Sequence, residues 1–160
     1  MKKVLVCLCI LLTLPFNFAL AVQEQELKLT STSAILMEQD SNRILYAKDI
    51  HNVRSVASIS KIMTAIVAIE NGKLDKKITI GDEIDKAYGS GIYIKKGEKL
   101  TLRDLLYGLM LRSGNDAALT IAYNVSGDVP KFVKMMNELA SEIGMKNTVF
   151  NNPSGLDEED

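Results

Sequence analysis

The protein has 160 residues, of which 47% are hydrophobic and 24% are charged, a composition typical of one globular domain. The 19 Lys and Arg residues nearly balance the 20 Asp and Glu residues and form no basic block, which argues against a nucleic-acid partner. Both cysteines, Cys7 and Cys9, lie within the first 21 residues. A chain cleaved after that segment would have no disulfide, no thiolate nucleophile and no cysteine-ligated zinc.

The N-terminal segment has the three parts of a secretory signal peptide. It opens with two lysines, continues as an apolar run at 4–14, and ends in the small-x-small triplet 19–21. An uncleaved membrane anchor is the alternative, but the apolar run is shorter than the ~20 residues that a spanning helix needs. We therefore expect residues 1–21 to be removed and residues 22–160 to form part of one domain. We expect the protein to act outside the cytoplasm, at the cell wall or the outer face of the cytoplasmic membrane.

The mature chain is predicted to begin with a β-hairpin after a polar lead-in at 22–32. Two apolar-rich stretches, Ala34–Met37 and Arg43–Ala47, flank the turn-forming residues Gln39–Asn42. A polar loop then leads to Ser58, where the pattern of apolar residues changes to a helical period.

The first predicted helix runs from Ser58 to an Asn71-Gly72 stop. Apolar side chains recur along it every three or four residues, at Ile59, Ile62, Met63, Ile66, Val67 and Ile69. A short strand at Ile78–Ile80 and a flexible turn at Tyr88–Gly91 follow.

Three more helices are predicted in the second half of the chain. Thr101, with Asp104 three residues on, forms a variant of the capping box and begins a helix that ends at Ser113-Gly114-Asn115. Further apolar stripes predict helices at 116–125 and 129–143. Two strands followed by a run of helices indicate the α+β class.

The pair Ser58 and Lys61 has the S-x-x-K spacing found in serine acyl-enzymes. Residues three apart lie on the same face of a helix, so the hydroxyl and the amine can meet. A serine hydroxyl needs a nearby base, and a lysine can be that base if burial lowers its pKa. We expect the apolar neighbours Ile59, Ile62 and Met63 to supply the dry setting. The alternative is a helix-capping serine beside a solvated lysine.

The turn Ser113-Gly114-Asn115 is the second group of residues that could carry chemistry. A short Ser-x-Asn turn can aim a hydroxyl and an amide into one cleft. The hydroxyl can pass a proton to a leaving group, and the amide can hold a peptide bond. The alternative is an ordinary helix-ending turn, in which these residue types are common.

Taken together, these stretches resemble a known family. Arg54–Thr64 (RSVASISKIMT) resembles the nucleophile region of penicillin-binding D-alanyl-D-alanine carboxypeptidases, and Leu105–Ala118 (LLYGLMLRSGNDAA) resembles their second motif. Gly97-Glu98 with Thr101, and Asn152–Leu156 (NPSGL), are similar as well. The resemblance runs from about residue 33 to residue 156.

The resemblance implies a role for each matching residue. Ser58 would be the nucleophile, Lys61 its general base, and Ser113 the proton relay to the leaving D-alanine. Asn115 would bind the substrate peptide and also steady Lys61. The implied fold is β-lactamase/transpeptidase-like, and the implied reaction removes the terminal D-alanine from peptidoglycan stem peptides. β-Lactams would acylate the same serine as covalent inhibitors, and no metal or organic cofactor is implied.

The sequence departs from the family in one respect. The third family motif, Lys-Thr/Ser-Gly on a strand, is absent from the 160 residues, and Lys96-Gly97 precedes the second motif and cannot replace it. We therefore expect a fragment that lacks the C-terminal strands of the sheet and leaves the hairpin with a bare edge. Membrane association in the family often uses a C-terminal amphipathic helix, and no such segment is present.

Other interpretations remain open from the sequence. A class A β-lactamase-like hydrolase shares S-x-x-K, although it favours Ser-Asp-Asn over the Gly114 turn. An inactive remnant that binds peptidoglycan or β-lactams is the non-enzymatic alternative.

His51, the only histidine, is predicted to be a surface residue, not part of a catalytic triad. The acidic stretch 157–160 is predicted to be a solvated loop and not a metal site.

Overall fold

A computed structural model of the protein describes residues 27–156. The predicted signal peptide, both cysteines and the acidic stretch 157–160 lie outside the described residues. The chain divides into two compact units, residues 1–50 and residues 51–160. No helix in the described part of the chain combines the length and the apolar character that crossing a membrane requires.

The first unit contains the predicted hairpin. Strands β1 (Ala34–Met37) and β2 (Ile44–Lys48) pair antiparallel, with Leu36 opposite Tyr46. The Glu38 carboxylate organises the turn, since it accepts hydrogen bonds from the backbone N–H groups of residues 40 and 41 at 3.0 and 2.7 Å. The second strand begins one residue later than predicted, because the carbonyl of residue 43 closes the turn on the backbone N–H of Glu38.

Apolar side chains on both faces of this hairpin are exposed. In the described residues each strand of the hairpin has a single hydrogen-bonded neighbour. A two-stranded sheet alone has too little apolar contact to bury its own side chains. About half of the surface of each of the following is exposed: Ile35, Leu36, Met37, Ile44 and Leu45.

The second unit is a helical body with a small antiparallel ribbon. A 3₁₀ turn (Ala57–Ser60) leads into α1 (Lys61–Asn71). Strand β3 (Lys77–Thr79) pairs with β4 (Lys99–Thr101), which runs directly into α2 (Leu102–Arg112). The remaining helices are α3 (Asn115–Ser126) and α4 (Val129–Glu142). Each predicted helix is therefore present, with ends within three residues of the predicted ones.

Helix α3 lies at the centre of this unit, where it contacts α1, α2 and α4. Its buried positions include several alanines, which allow neighbouring helices to approach closely. Larger apolar side chains from the surrounding helices complete the core. The fully buried side chains include Val67, Leu105, Leu109, Ile121, Phe132 and Met136.

The capping box predicted at the start of α2 is confirmed. The Thr101 hydroxyl accepts a hydrogen bond from the backbone N–H of Asp104 at 3.1 Å, and the Asp104 carboxylate accepts one from the backbone N–H of Thr101 at 2.8 Å. These two bonds satisfy N–H groups that a helix leaves unpaired at its first turn.

Replacing Thr101 by alanine should lower the free energy of unfolding by about 1 kcal/mol, because the N-cap acceptor is lost. Urea denaturation followed by circular dichroism measures the change. Thr101→Ser is the matched control, since serine keeps the hydroxyl. An equal loss of stability in both variants would contradict the capping role.

Candidate active site

Ser58 lies on the 3₁₀ turn immediately before α1 and is exposed. The residue before it, Ala57, has φ of 47°, a left-handed conformation that side chains with a Cβ seldom adopt. Gly155, with φ of 71°, packs so closely that a Cβ there would overlap the Ala57 carbonyl. Backbone strain of this kind is often found at functional sites, and here it is adjacent to the predicted nucleophile.

Lys61 is the first residue of α1, and only 2% of it is exposed. Its Nζ donates hydrogen bonds to Ser58 Oγ at 3.1 Å and to the backbone carbonyl of Ser154 at 2.6 Å. Burial lowers the pKa of Lys61, because desolvation disfavours the ammonium form. The ion pairs of the described residues do not include Lys61, so no carboxylate counteracts this effect.

The dry setting of Lys61 has a different origin from the one expected. Ile59 and Ile62 are 65% and 50% exposed, so the expectation that they shield the amine is wrong, although Met63 is buried as expected. Residues 153–154 cover the amine instead, and the Thr64 hydroxyl one turn further on donates to the carbonyl of residue 153 at 2.7 Å.

Ser113 occupies the turn between α2 and α3, as predicted. It ends α2 in a left-handed conformation with φ of 55°, and the backbone N–H of Gly114 donates back to the Gly108 carbonyl at 3.2 Å. Its half-buried hydroxyl makes no hydrogen bond with any described residue. The hydroxyl is therefore not committed to a structural partner in this part of the chain.

Asn115 begins α3 and is 4% exposed. Its Nδ2 donates to the Tyr88 carbonyl at 2.7 Å, and its backbone N–H donates to the Ser90 carbonyl at 2.8 Å. No hydrogen bond joins its side chain to Lys61, and its buried Oδ1 has no partner among the described residues. The amide is thus oriented by the loop at 88–94 and keeps one acceptor unused.

Asp116 anchors the same loop, a role that the sequence did not reveal. Its carboxylate is 7% exposed and accepts hydrogen bonds from the backbone N–H groups of Ile92 at 3.1 Å, Ile94 at 3.2 Å and Ala117 at 2.8 Å. Backbone donors and the α3 N-terminus stabilise its negative charge without a cation. An acidic residue in the first turn of α3 was the available signal, but it gave no indication of the loop as the partner.

The three segments meet beside Asn115. A Cβ placed on Gly89 would lie 3.1 Å from Asn115 Nδ2 and 3.4 Å from Leu156 Cδ1. The loop at 88–94, the start of α3 and the turn at 152–156 are therefore in contact, and the same turn reaches Lys61. The arrangement brings the predicted nucleophile Ser58, a buried amine and an oriented amide into one connected region, which suits acyl transfer.

Comparison with solved structures defines the class of protein. The fold matches a D-alanyl-D-alanine carboxypeptidase from Mycobacterium tuberculosis H37Rv with a TM-score of 0.76 and 33% identity, covering 80% of this chain and 48% of that one. It matches penicillin binding protein 5 from Haemophilus influenzae with a TM-score of 0.75 and 31% identity, covering 82% and 40%. The predicted α+β, β-lactamase/transpeptidase-like fold is thereby confirmed.

The sequence identifies the family. Residues 20–160 match the D-alanyl-D-alanine carboxypeptidase family, peptidase S11, and the chain belongs to that family. It is 39% identical over 132 residues to the D-alanyl-D-alanine carboxypeptidase DacF of Bacillus subtilis strain 168, a match that covers 79% of this chain and 34% of that protein. The chain therefore spans about a third of the length of this relative.

Replacing Lys61 by methionine should raise the free energy of unfolding most at neutral pH. Since burial lowers the pKa of Lys61 in the folded state, the unfolded chain binds more protons between that pKa and the ordinary value of 10.5. The stability of the wild type should therefore rise with pH in this window, and the advantage of the methionine variant should shrink.

Urea denaturation at pH 7 and pH 10 measures this difference. Thr64→Val is the control, because it removes a buried polar group of the same helix face that does not ionise. A stability difference between Lys61→Met and wild type that stays constant with pH would contradict a desolvated amine.

Replacing Asp116 by alanine should loosen the loop at 88–94. Each lost hydrogen bond to a charged acceptor is worth ~1.5 kcal/mol or more, so the backbone amides of Ile92 and Ile94 should exchange hydrogen about tenfold faster. Hydrogen exchange followed by NMR measures the rates, and the amide of Ile121 in the core of α3 is the internal control. Unchanged exchange at Ile92 and Ile94 would show that the carboxylate is not the anchor.

Proposed function

We propose that the protein is a serine-type D-Ala-D-Ala carboxypeptidase that removes the terminal D-alanine from peptidoglycan stem peptides through an acyl-enzyme on Ser58. The observation that carries the proposal is the buried Lys61 amine 3.1 Å from Ser58 Oγ, which pairs with no carboxylate of residues 27–156. Membership of the family supports it.

In acylation, Lys61 in its neutral form takes the proton of the Ser58 hydroxyl, and the oxygen bonds to the carbonyl carbon of the penultimate D-alanine. The peptide C–N bond then breaks. The Ser113 hydroxyl relays the proton from Lys61 to the departing amine, which leaves as D-alanine. Lys61, neutral again, then takes a proton from water as the water oxygen bonds to the ester carbonyl carbon. The ester C–O bond breaks, the proton passes from Lys61 to Ser58 Oγ, and the shortened peptide leaves with a free carboxyl group. No step requires a metal or an organic cofactor.

Asn115 is proposed to hold the peptide group of the substrate. Its amide is already oriented by the Tyr88 carbonyl, which reduces the loss of side-chain entropy on binding. Its buried Oδ1, which has no partner among the described residues, is the acceptor that a ligand reaching it would use. A β-lactam presents a strained amide to the same serine and would form a covalent adduct.

We also propose that the protein acts outside the cytoplasm, after export through the predicted signal peptide at 1–21. The peptidoglycan substrate lies in that compartment. The absence of cysteine after residue 9 means that folding there would not depend on disulfide formation.

Replacing Ser58 by alanine should abolish covalent labelling by penicillin and reduce release of D-alanine by more than about 1000-fold, because no acyl-enzyme can form. Intact-mass spectrometry detects the adduct, and an enzymatic assay for D-alanine follows turnover of a pentapeptide. Ser60→Ala is the matched control on the same 3₁₀ turn and should keep both activities.

The same measurements separate the alternative functions. An adduct without release of D-alanine would indicate a β-lactam-binding protein without turnover, whereas rapid hydrolysis of a chromogenic cephalosporin would indicate a β-lactamase-like enzyme. Absence of any adduct on the wild-type chain would contradict the proposed acyl-enzyme.

A further inference from the structure

The side chain of Asn152 folds the segment 152–156 into a tight turn. Its Oδ1 accepts hydrogen bonds from the backbone N–H of Ser154 at 3.1 Å, from the Ser154 hydroxyl at 3.1 Å and from the backbone N–H of Gly155 at 2.7 Å. Its Nδ2 donates to the Leu156 carbonyl at 2.6 Å. One amide thus satisfies four polar groups of the turn, using both of its ends.

The turn directs two consecutive carbonyl groups at α1. The carbonyl of Pro153 accepts from the Thr64 hydroxyl at 2.7 Å, and the carbonyl of Ser154 accepts from Lys61 Nζ at 2.6 Å. The next residue, Gly155, lies against the Ala57 carbonyl. The turn therefore contacts the chain on both sides of Ser58.

We propose that Asn152 is a positioning residue that acts on Lys61 through the Ser154 carbonyl. The proposal rests on the proposed function, in which Lys61 is the general base for Ser58. Lys61 carries its amine at the end of a flexible four-carbon chain, and two hydrogen-bond acceptors fix where the amine lies. Ser58 Oγ exchanges a proton with the amine in the proposed reaction, whereas the Ser154 carbonyl takes no part in it. The carbonyl is therefore the acceptor that holds the amine in place between proton transfers.

The carbonyl also affects the charge of the amine. A carbonyl oxygen accepts a stronger hydrogen bond from an ammonium than from a neutral amine, so it favours the charged form and opposes the effect of burial on the pKa of Lys61. Among the described residues, the hydrogen bonds of Lys61 Nζ go to this carbonyl and to Ser58 Oγ. Asp116, the acid in the first turn of α3, accepts from backbone N–H groups.

The remaining charged groups on the packed helices do not pair with Lys61. Burial is the cause of its lowered pKa, with no contribution from a neighbouring charge. The charged residues of α1, α2 and α4 include Glu70, Arg103, Asp104, Arg112, Lys131, Lys134, Glu138 and Glu142.

The test compares Asn152→Ala with Asn137→Ala. Asn137 is a matched control because its amide binds the backbone of Phe150, two residues before the segment 152–156, through two hydrogen bonds at 2.8 and 2.9 Å and makes no hydrogen bond with the Ser154 carbonyl. The measurement is the second-order rate of acylation by a fluorescent penicillin as a function of pH, on the full chain.

In Asn152→Ala the turn no longer presents the Ser154 carbonyl. The hydrogen bond from Thr64 to the Pro153 carbonyl does not involve Asn152, so it keeps residue 153 on α1 and the amine covered. The midpoint of the acidic limb of the rate profile should then move to lower pH by about one unit, since the ammonium loses its acceptor. The maximal rate should fall about tenfold or more, because the amine is less well placed. Asn137→Ala should keep the wild-type midpoint. An unchanged midpoint in Asn152→Ala, or the same shift in both variants, would overturn the proposal.

A second variant distinguishes the proposed effect of Asn152 on Lys61 from a loss of folding in Asn152→Ala. Asn152→Asp keeps the oxygen that accepts three hydrogen bonds and adds a negative charge, but it loses the donor to the Leu156 carbonyl. The three retained hydrogen bonds should keep the Ser154 carbonyl in place, so the midpoint should move to higher pH. A shift of the midpoint to lower pH in Asn152→Asp would contradict the proposal. The retained Ser154 carbonyl and the added negative charge both favour the ammonium form of Lys61, whereas the alanine variant loses the carbonyl.

An NMR titration separates this inference from the proposed function. The ¹³Cε signal of Lys61, assigned by its loss in Lys61→Met, reports the pKa of the amine without any acylation. If the wild type forms no adduct with penicillin, the proposed function fails, but the positions of the Lys61 titration in the two Asn152 variants still decide the role of Asn152. A Lys61 titration that is identical in wild type and Asn152→Ala would refute it.

Discussion

A buried amine with no counter-ion in the part of the chain that the structure describes is the constraint on which the rest of the site depends. The low exposure of Lys61 lowers the pKa of its amine, yet its N–H groups still need acceptors, because an unsatisfied buried polar group is costly. Ser58 Oγ supplies one acceptor and the Ser154 carbonyl the other. The hydrogen bond to the Ser154 carbonyl requires the segment 152–156 to lie on α1. Lys61 and this segment therefore form one structural unit.

The two turns around the site are held by the same physical device. Asn152 organises one turn and Asp116 the other, each as a short side chain that accepts several hydrogen bonds from backbone N–H groups. Such groups are fixed by the backbone and lose little entropy when they bind. The loop at 88–94 then orients Asn115, while the turn at 152–156 holds Lys61, so each of these two proposed functional side chains has its own anchor.

Local sequence patterns predicted the elements well, since their causes are local. The Thr101 capping box, the hairpin turn after Met37 and the Ser113 turn depend on neighbouring residues. The meeting of Ser58 and Lys61 likewise follows from their spacing of three. The Ser154 carbonyl could not be predicted, because it is 93 residues from Lys61 and any residue type carries a backbone carbonyl. The anchoring of the loop by Asp116 escaped prediction for the same reason.

The periodicity of the apolar residues in α1 did not predict which face of the helix is buried. Apolar side chains line the helix on two faces, and spacing alone does not say which face meets the core. In the structure Lys61, Thr64 and Ala68 point inward, and an exposed stripe comprises Ile59, Ile62, Ile66 and Ile69. A helix that is apolar on both faces is suited to burial on both sides. The proton chemistry of the Ser58–Lys61 pair depends on the inward face of the helix alone. It is therefore set by α3 and the turn at 152–156, and not by the surroundings of the exposed isoleucines.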